Sequence, residues 1–210
     1  EAHQNYKKVE LLSEYYSPSV SKAINGPAIP EFEENDKVTV PPEGFQVIEE
    51  LVFPKYSKAN KQELIQELGV LEANLTRLEK VSASNELTDA HVFDAMRLEV
   101  YRIITLGITG FDSPVVLNSL PEALASLETI EKYYRVYLED QSVSNSKQVL
   151  QAFEKGKKYL KSNTNFNAFD RAYFIKEILN PLSKGLFKTQ SELGISLMKE
   201  QRGLKVTAQT

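Results

Sequence analysis

The sequence predicts an all-α protein, an antiparallel helical bundle of about seven helices. Apolar residues recur at spacings of three and four through most of the chain, the period of an amphipathic helix. No segment alternates apolar and polar residues between turn pairs, as a half-buried strand would. Gly, Pro and Asn break the helical pattern at intervals too uneven for a solenoid.

The first helix is predicted where Tyr6, Val9, Ser13, Tyr16, Val20 and Ala23 fall on one stripe, and Asn25-Gly26-Pro27 ends it. Residues 27–42 hold four of the nine prolines and the acids Glu31, Glu33, Glu34 and Asp36, which predicts a long surface loop. Loops of that length are often functional. A short helix follows Pro41-Pro42, opening at Gly44 and closing at Phe53 before Pro54. Asn60-x-x-Glu63 reads as a capping box for the third helix, whose Leu64, Leu68, Leu71, Leu75 and Leu78 form a bundle seam.

The fourth helix starts near Thr88 and carries Val92, Met96, Val100, Ile103 and Gly107 toward a C-cap at Gly110. Ser119-x-x-Glu122 caps the fifth, with Leu120, Leu124, Leu127, Tyr134 and Leu138 inward. Asn145-x-x-Gln148 caps the sixth, with Val149, Phe153, Gly156 and Leu160. The seventh starts near Asn167, with Asp170 at its capping-box position, and carries Phe169, Ala172, Ile175, Leu179, Leu182 and Leu186. Pro181 lies inside that pattern, so a kink is expected near residues 177–181. Residues 1–199 read as a single all-helical domain and residues 200–210 as a tail or linker leading elsewhere.

With 210 residues and 41% hydrophobic content, the chain has ample material for a core. A net charge near −4, with cations and acids interspersed, gives no reason to expect nucleic acid or an anionic membrane as partner. No apolar run reaches the length of a membrane span. The absence of cysteine removes disulfides, thiolate metal sites, cysteine nucleophiles and covalent haem attachment through Cys-x-x-Cys-His. No segment reads as a signal peptide, and the opening Glu1-Ala2-His3-Gln4 is already helical in character, as expected of a processed, exported product.

Candidate site residues are few. Gln46 and Glu49 stand three apart on the short helix, hence on one face. One reading places Glu49 in a buried polar cluster, on a cation or an arginine; the other leaves both on a solvated face beside Phe45, Ile48 and Val52. Glu99 shares the inward stripe of Met96 and Ile103, so it must be paired or neutral, with Arg97 or Arg102 as the nearest cations. The expectation there is a buried ion pair that fixes helix register.

Glu10 and Glu14 lie one turn apart, as carboxylates in some di-metal bundles do. Those sites also need Glu-x-x-His pairs, which are missing, so a surface role is expected for them. His91-x-x-Asp94 falls in the first turn of its helix, and His3 reads as incidental. The Tyr15-Tyr16 and Tyr133-Tyr134 pairs, with Tyr137, are core aromatics that could also line a groove. No triad material, P-loop or phosphate-cradling glycine loop is present, and catalysis by this chain alone is not expected.

The stretch Pro42-Glu43-Gly44-Phe45-Gln46-Val47-Ile48-Glu49-Glu50 resembles the imelysin-like family, whose mark is a Gly-x-His-x-x-Glu motif in an all-helical protein. That family is associated with bacterial iron uptake and was once classed as peptidases. Gly44 and Glu49 match the motif; Gln46 stands where the family has histidine. The resemblance implies iron or another divalent cation as a possible ligand, with Glu49, Gln46, Glu10 and Glu99 as the candidate metal set.

A closer likeness runs in islands: Tyr6-Lys7-Lys8-Val9-Glu10, Glu14-Tyr15-Tyr16, Ala23-Ile24-Asn25-Gly26-Pro27, Gly44 to Glu50, and Phe169-Asp170-Arg171 through Asn180-Pro181-Leu182. These are similar to the helical N-terminal region that precedes di-haem cytochrome c peroxidase modules in some bacterial proteins. The likeness implies a periplasmic or envelope location, no cofactor in this chain, and a di-haem peroxidase module or another envelope protein as partner.

Overall fold

In the computed structural model, residues 1–33, 37–139 and 143–197 are described. Glu34, Asp36 and the expected tail at 200–210 lie outside them. Among the described residues the protein is an all-α helical bundle with one small hairpin. The helices are α1 (Ala2–Tyr16), α2 (Pro18–Asn25), α3 (Phe45–Val52), α4 (Lys61–Ser82), α5 (Asp89–Arg102), α6 (Ser119–Val136), α7 (Ser146–Ser162), α8 (Arg171–Phe174) and α9 (Asn180–Glu192). The hairpin pairs β1 (Glu31–Glu33) with β2 (Val38–Val40), antiparallel, Phe32 opposite Thr39.

Four helices close a ring: α5 packs on α6, α6 on α7, α7 on α9, and α9 on α5. Inside it Phe93, Met96, Leu127, Ile130, Tyr134, Phe153, Phe174, Ile178, Leu182 and Leu186 are fully buried. Gly156 lets α7 approach closely, since a Cβ there would stand 2.8 Å from Leu127 Cδ2 and 3.0 Å from Ile178 Cγ2. α1 lies against α5 and α6 outside the ring. A second, smaller core of Tyr6, Val20, Ile24, Leu71 and Leu78, flanked by Phe45 and Ile48, joins α1 to α2, α3 and α4.

Several local expectations change. The first predicted helix is two, because Pro18 cannot continue α1 and instead opens α2 at a first-turn position where its missing N–H is harmless. Val9, expected inward, is exposed. Residues 27–42 contain the hairpin rather than a bare loop, although both strands are only three residues long. In the leucine seam of α4, Leu71 and Leu78 are buried while Leu68 and Leu75 face outward.

The capping boxes fare unevenly. Asn118, not Ser119, is the N-cap of α6, and the Asn60 and Asn145 side chains make no cap bond. Asn145 instead donates to Gly185 O and accepts from Thr189, crossing from α7 to α9. Asp170 is the N-cap itself, accepting from Tyr173 N at 2.9 Å. The strain expected at Pro181 is absorbed one turn earlier, where a π turn over Ile175–Leu179 links α8 to α9 and leaves Pro181 in the first turn of α9.

Candidate functional site

Lys7 is the centre of the site. His3, Lys7, Glu10 and Glu14 follow one another at spacings of four, three and four, so α1 presents them on one face. That face is turned inward, toward α5, α6 and the 108–118 loop. Lys7 is 3% exposed and Glu10 1% exposed. The Lys7 ammonium donates to both Glu10 carboxylate oxygens at 2.8 Å and to Asp112 Oδ2 at 2.6 Å. Three oxygens thus meet the three N–H bonds of one ammonium.

Arg102 supplies the second cation. It reaches Glu14 Oε1 at 2.9 Å, Glu10 Oε1 at 3.4 Å and Glu99 Oε2 at 3.7 Å. Asn25 Nδ2 adds a bond to Glu10 Oε1 at 3.4 Å, which ties α2 into the cluster. On the far side His3 Nδ1 lies 3.0 Å from Glu122 Oε1 and its ring stacks on Phe45. A cavity of about 10 Å³, the size of one water, is lined by Lys7, Glu10, Glu99, Arg102, Asp112 and Glu122. The Oε2 atoms of Glu99 and Glu122 are buried without a hydrogen-bond partner.

Electrostatics follow from this crowding. Burial alone would lower the Lys7 ammonium, but Glu10 and then Asp112 outweigh it and hold it above the usual lysine range. Burial pushes the Glu14 carboxyl up to about 7 against the pull of Arg102. Burial, followed by repulsion from Glu10, also pushes Glu99 well above the carboxylate range. The native state therefore holds protons that the unfolded chain has already released at neutral pH. Stability from these two groups is full below the ordinary carboxylate range and is lost as pH rises through their native values. Lys7 does not reverse the sign, since its contribution persists until pH exceeds the usual lysine range. Urea midpoints are expected to fall between about pH 5 and pH 8, and Glu99→Gln and Glu14→Gln together should flatten the slope. A midpoint that rises across that window would exclude this assignment.

The motif helix α3 touches the site from behind. Gly44 caps it at φ 95°, pressed on the carbonyls of Ala23 and Ile24 at the end of α2. Gln46 is buried rather than on a solvated face, and its Nε2 donates to Asn25 O at 3.4 Å. Glu49 is half-buried, with Oε1 accepting from Ser113 Oγ at 2.7 Å and from Val116 N at 2.8 Å. Arg171 grips the other end of the same loop, its Nε donating to Ile108 O at 2.7 Å. Glu49 and Arg171 thus hold from two sides the loop that carries Asp112 to Lys7. Glu49→Ala is expected to cost about 1.5–3 kcal/mol, the range for hydrogen bonds to a charged group. An equilibrium urea titration measures it, and a value near zero would leave Glu49 without a role in the loop.

The structure brings together Glu10 and Glu99 of the expected metal set, while Gln46 and Glu49 stand outside the cavity. The surface role expected for Glu10 and Glu14 is corrected: α1 has no continuous apolar stripe, so its polar face is the one that docks. His3 is part of the cluster and not incidental. Arg102, named in the sequence as a possible partner of Glu99, lies 3.7 Å from its Oε2, whereas Lys7, Asp112 and Glu122 were not singled out as members of one site. The 4-3-4 spacing of His3, Lys7, Glu10 and Glu14 is the signal that could have found the α1 half. Among the described residues no group of three or more His, Asp or Glu side chains is placed to hold a metal ion. The oxygens of Glu10 are taken by Lys7, Arg102 and Asn25, and those donors do not fit a metal while Lys7 is in place.

Of the tyrosine pairs, Tyr16 and Tyr133 line a groove of about 180 Å³ with Val9, Leu12, Leu78 and Leu87. Tyr134 is core, its hydroxyl sharing a hydrogen bond with Thr189 at 3.1 Å. No described helix is long and apolar enough to cross a membrane. Compared with known proteins, the chain matches no family model, no curated protein and no solved structure.

Proposed function

We propose that this chain is a non-catalytic helical accessory domain of a bacterial cell-envelope protein of the cytochrome c peroxidase type, acting by contact with a haem-bearing module. The observation that carries the reading is the outer face of α4. Ile65, Leu68 and Leu75 recur there at helical spacing and are exposed, flanking the buried Leu71 and Leu78 along one side of the same helix. A 22-residue helix whose apolar stripe is wider than the strip the fold covers suits contact with another body. The ordered islands of likeness to the region preceding di-haem peroxidase modules supply the kind of partner and the envelope location. In the buried cluster, the Glu10 and Asp112 carboxylates are engaged by Lys7 and Arg102, which supports a structural use of those groups.

The test is a calorimetric titration of the chain with a purified di-haem cytochrome c peroxidase module. Binding is expected for the wild type and at least tenfold weaker binding for Ile65→Lys/Leu68→Lys, since each buried charge opposes docking. Absence of binding by the wild type would reject the reading. A parallel melt of metal-stripped protein with ferrous, ferric, zinc and calcium ions serves the iron-uptake alternative. A midpoint raised by one ion and lost in Glu49→Gln would put that alternative first.

A further inference from the structure

We propose that Glu10 and Asp112 form a binding site for a primary ammonium group, and that the chain keeps this site filled with its own Lys7. Three features carry the inference. The first is stoichiometric: one ammonium has three donors, and here they meet three carboxylate oxygens at 2.6–2.8 Å. Magnesium or calcium would seek six or more oxygens, which this pair of carboxylates does not offer.

The second is the surround. The site is sealed, with Lys7, Glu10 and Asp112 each no more than 4% exposed, so a cation there is bound without competition from bulk water. The third is charge. Five carboxylates, those of Glu10, Glu14, Glu99, Asp112 and Glu122, share the cluster with the cations Lys7 and Arg102 and with His3. Glu99 and Glu122 line the same cavity, their buried Oε2 atoms without a hydrogen-bond partner. Removing the Lys7 charge leaves an anionic recess whose shape is that of the lost butylammonium arm.

This recess selects by chemistry. A small primary alkylammonium can place its three N–H bonds as Lys7 does and put its alkyl end where the lysine stem ran. A quaternary ammonium has no N–H to donate and is too wide. The site does not depend on the accessory-domain reading, and its test does not involve the peroxidase module.

The experiment is a thermal melt of Lys7→Ala with n-propylammonium, tetramethylammonium, magnesium and calcium, beside wild type and Lys7→Met. Lys7→Ala is expected to melt lower than wild type and to regain about 5–10 °C with propylammonium at a hundredfold excess over its dissociation constant. Tetramethylammonium and the metals should give no comparable gain. Wild type and Lys7→Met should not respond, because in both the stem fills the recess. Equal gains in all three proteins, or a metal that outperforms propylammonium, would overturn the proposal. Should Lys7→Ala not fold, nitrogen-resolved NMR of the wild type decides. A Lys7 Nζ signal that is protonated and slow to exchange at neutral pH is expected, and a fast-exchanging one would overturn the proposal.

Discussion

Glu10→Ala is expected to cost about 3–5 kcal/mol of stability, the range for breaking a buried ion pair by removing one partner. The loss exceeds the value of the bonds themselves. Lys7 would keep only Asp112, and Arg102 would keep Glu14 at 2.9 Å and the more distant Glu99, so desolvated positive charge is left behind. The urea midpoint should fall by about 1–2 M. Pairing the substitution with Lys7→Met should restore part of the loss, giving a coupling energy of at least about 1 kcal/mol in a double-mutant cycle. Additive losses would mean that the two side chains act independently, contrary to the geometry.

Gly44→Ala is the second large effect, expected at about 2–4 kcal/mol. Two costs combine. The residue sits at φ 95°, where any Cβ is strained. Its Cβ would also stand 2.6 Å from Ala23 O and 2.7 Å from the Ile24 carbonyl carbon. Neither obstacle is a flexible side-chain end; both are backbone at the close of α2. A drop of about 5–15 °C in melting temperature is expected. A drop of under about 2 °C would show that α3 can slide off α2 without loss.

The fold was legible because most helices obey a single rule. α5, α6 and α7 bury Val92, Met96, Val100, Leu120, Leu127, Val149, Phe153 and Leu160, the residues their 3.6-residue pattern marks. Legibility failed where that rule was broken for a reason. On α1 the docked face is His3, Lys7, Glu10 and Glu14, so a search for apolar stripes assigns Val9 inward and the acids outward. On α4 the apolar stripe is wider than the strip that is covered, and spacing alone cannot say which of its leucines has a neighbour. The hairpin is held by three residues on each side, too short to show alternation.

The candidate site was partly legible for the same reason. Glu99 was placed correctly inward because it shares a stripe with Met96 and Ile103. Gln46 and Glu49 drew attention through a motif, yet what they touch is backbone and a serine hydroxyl from distant segments. Asp112 sits in a turn with no periodicity around it, 105 positions from its partner Lys7, and no local pattern connects the two.

An apolar helix face tolerates sliding, because one leucine serves nearly as well as the next. The face of α1 does not. Advancing α1 by one residue turns each position by about 100°. It would bring Lys8 to the place of Lys7, but Leu11 to that of Glu10 and Tyr15 to that of Glu14. Asp112 would still meet an ammonium, whereas Arg102 would face hydrocarbon and an aromatic ring. The charged stripe is thus a key cut for one alignment of the first helix, and the next setting of the lock leaves a half-buried guanidinium without its carboxylates from α1.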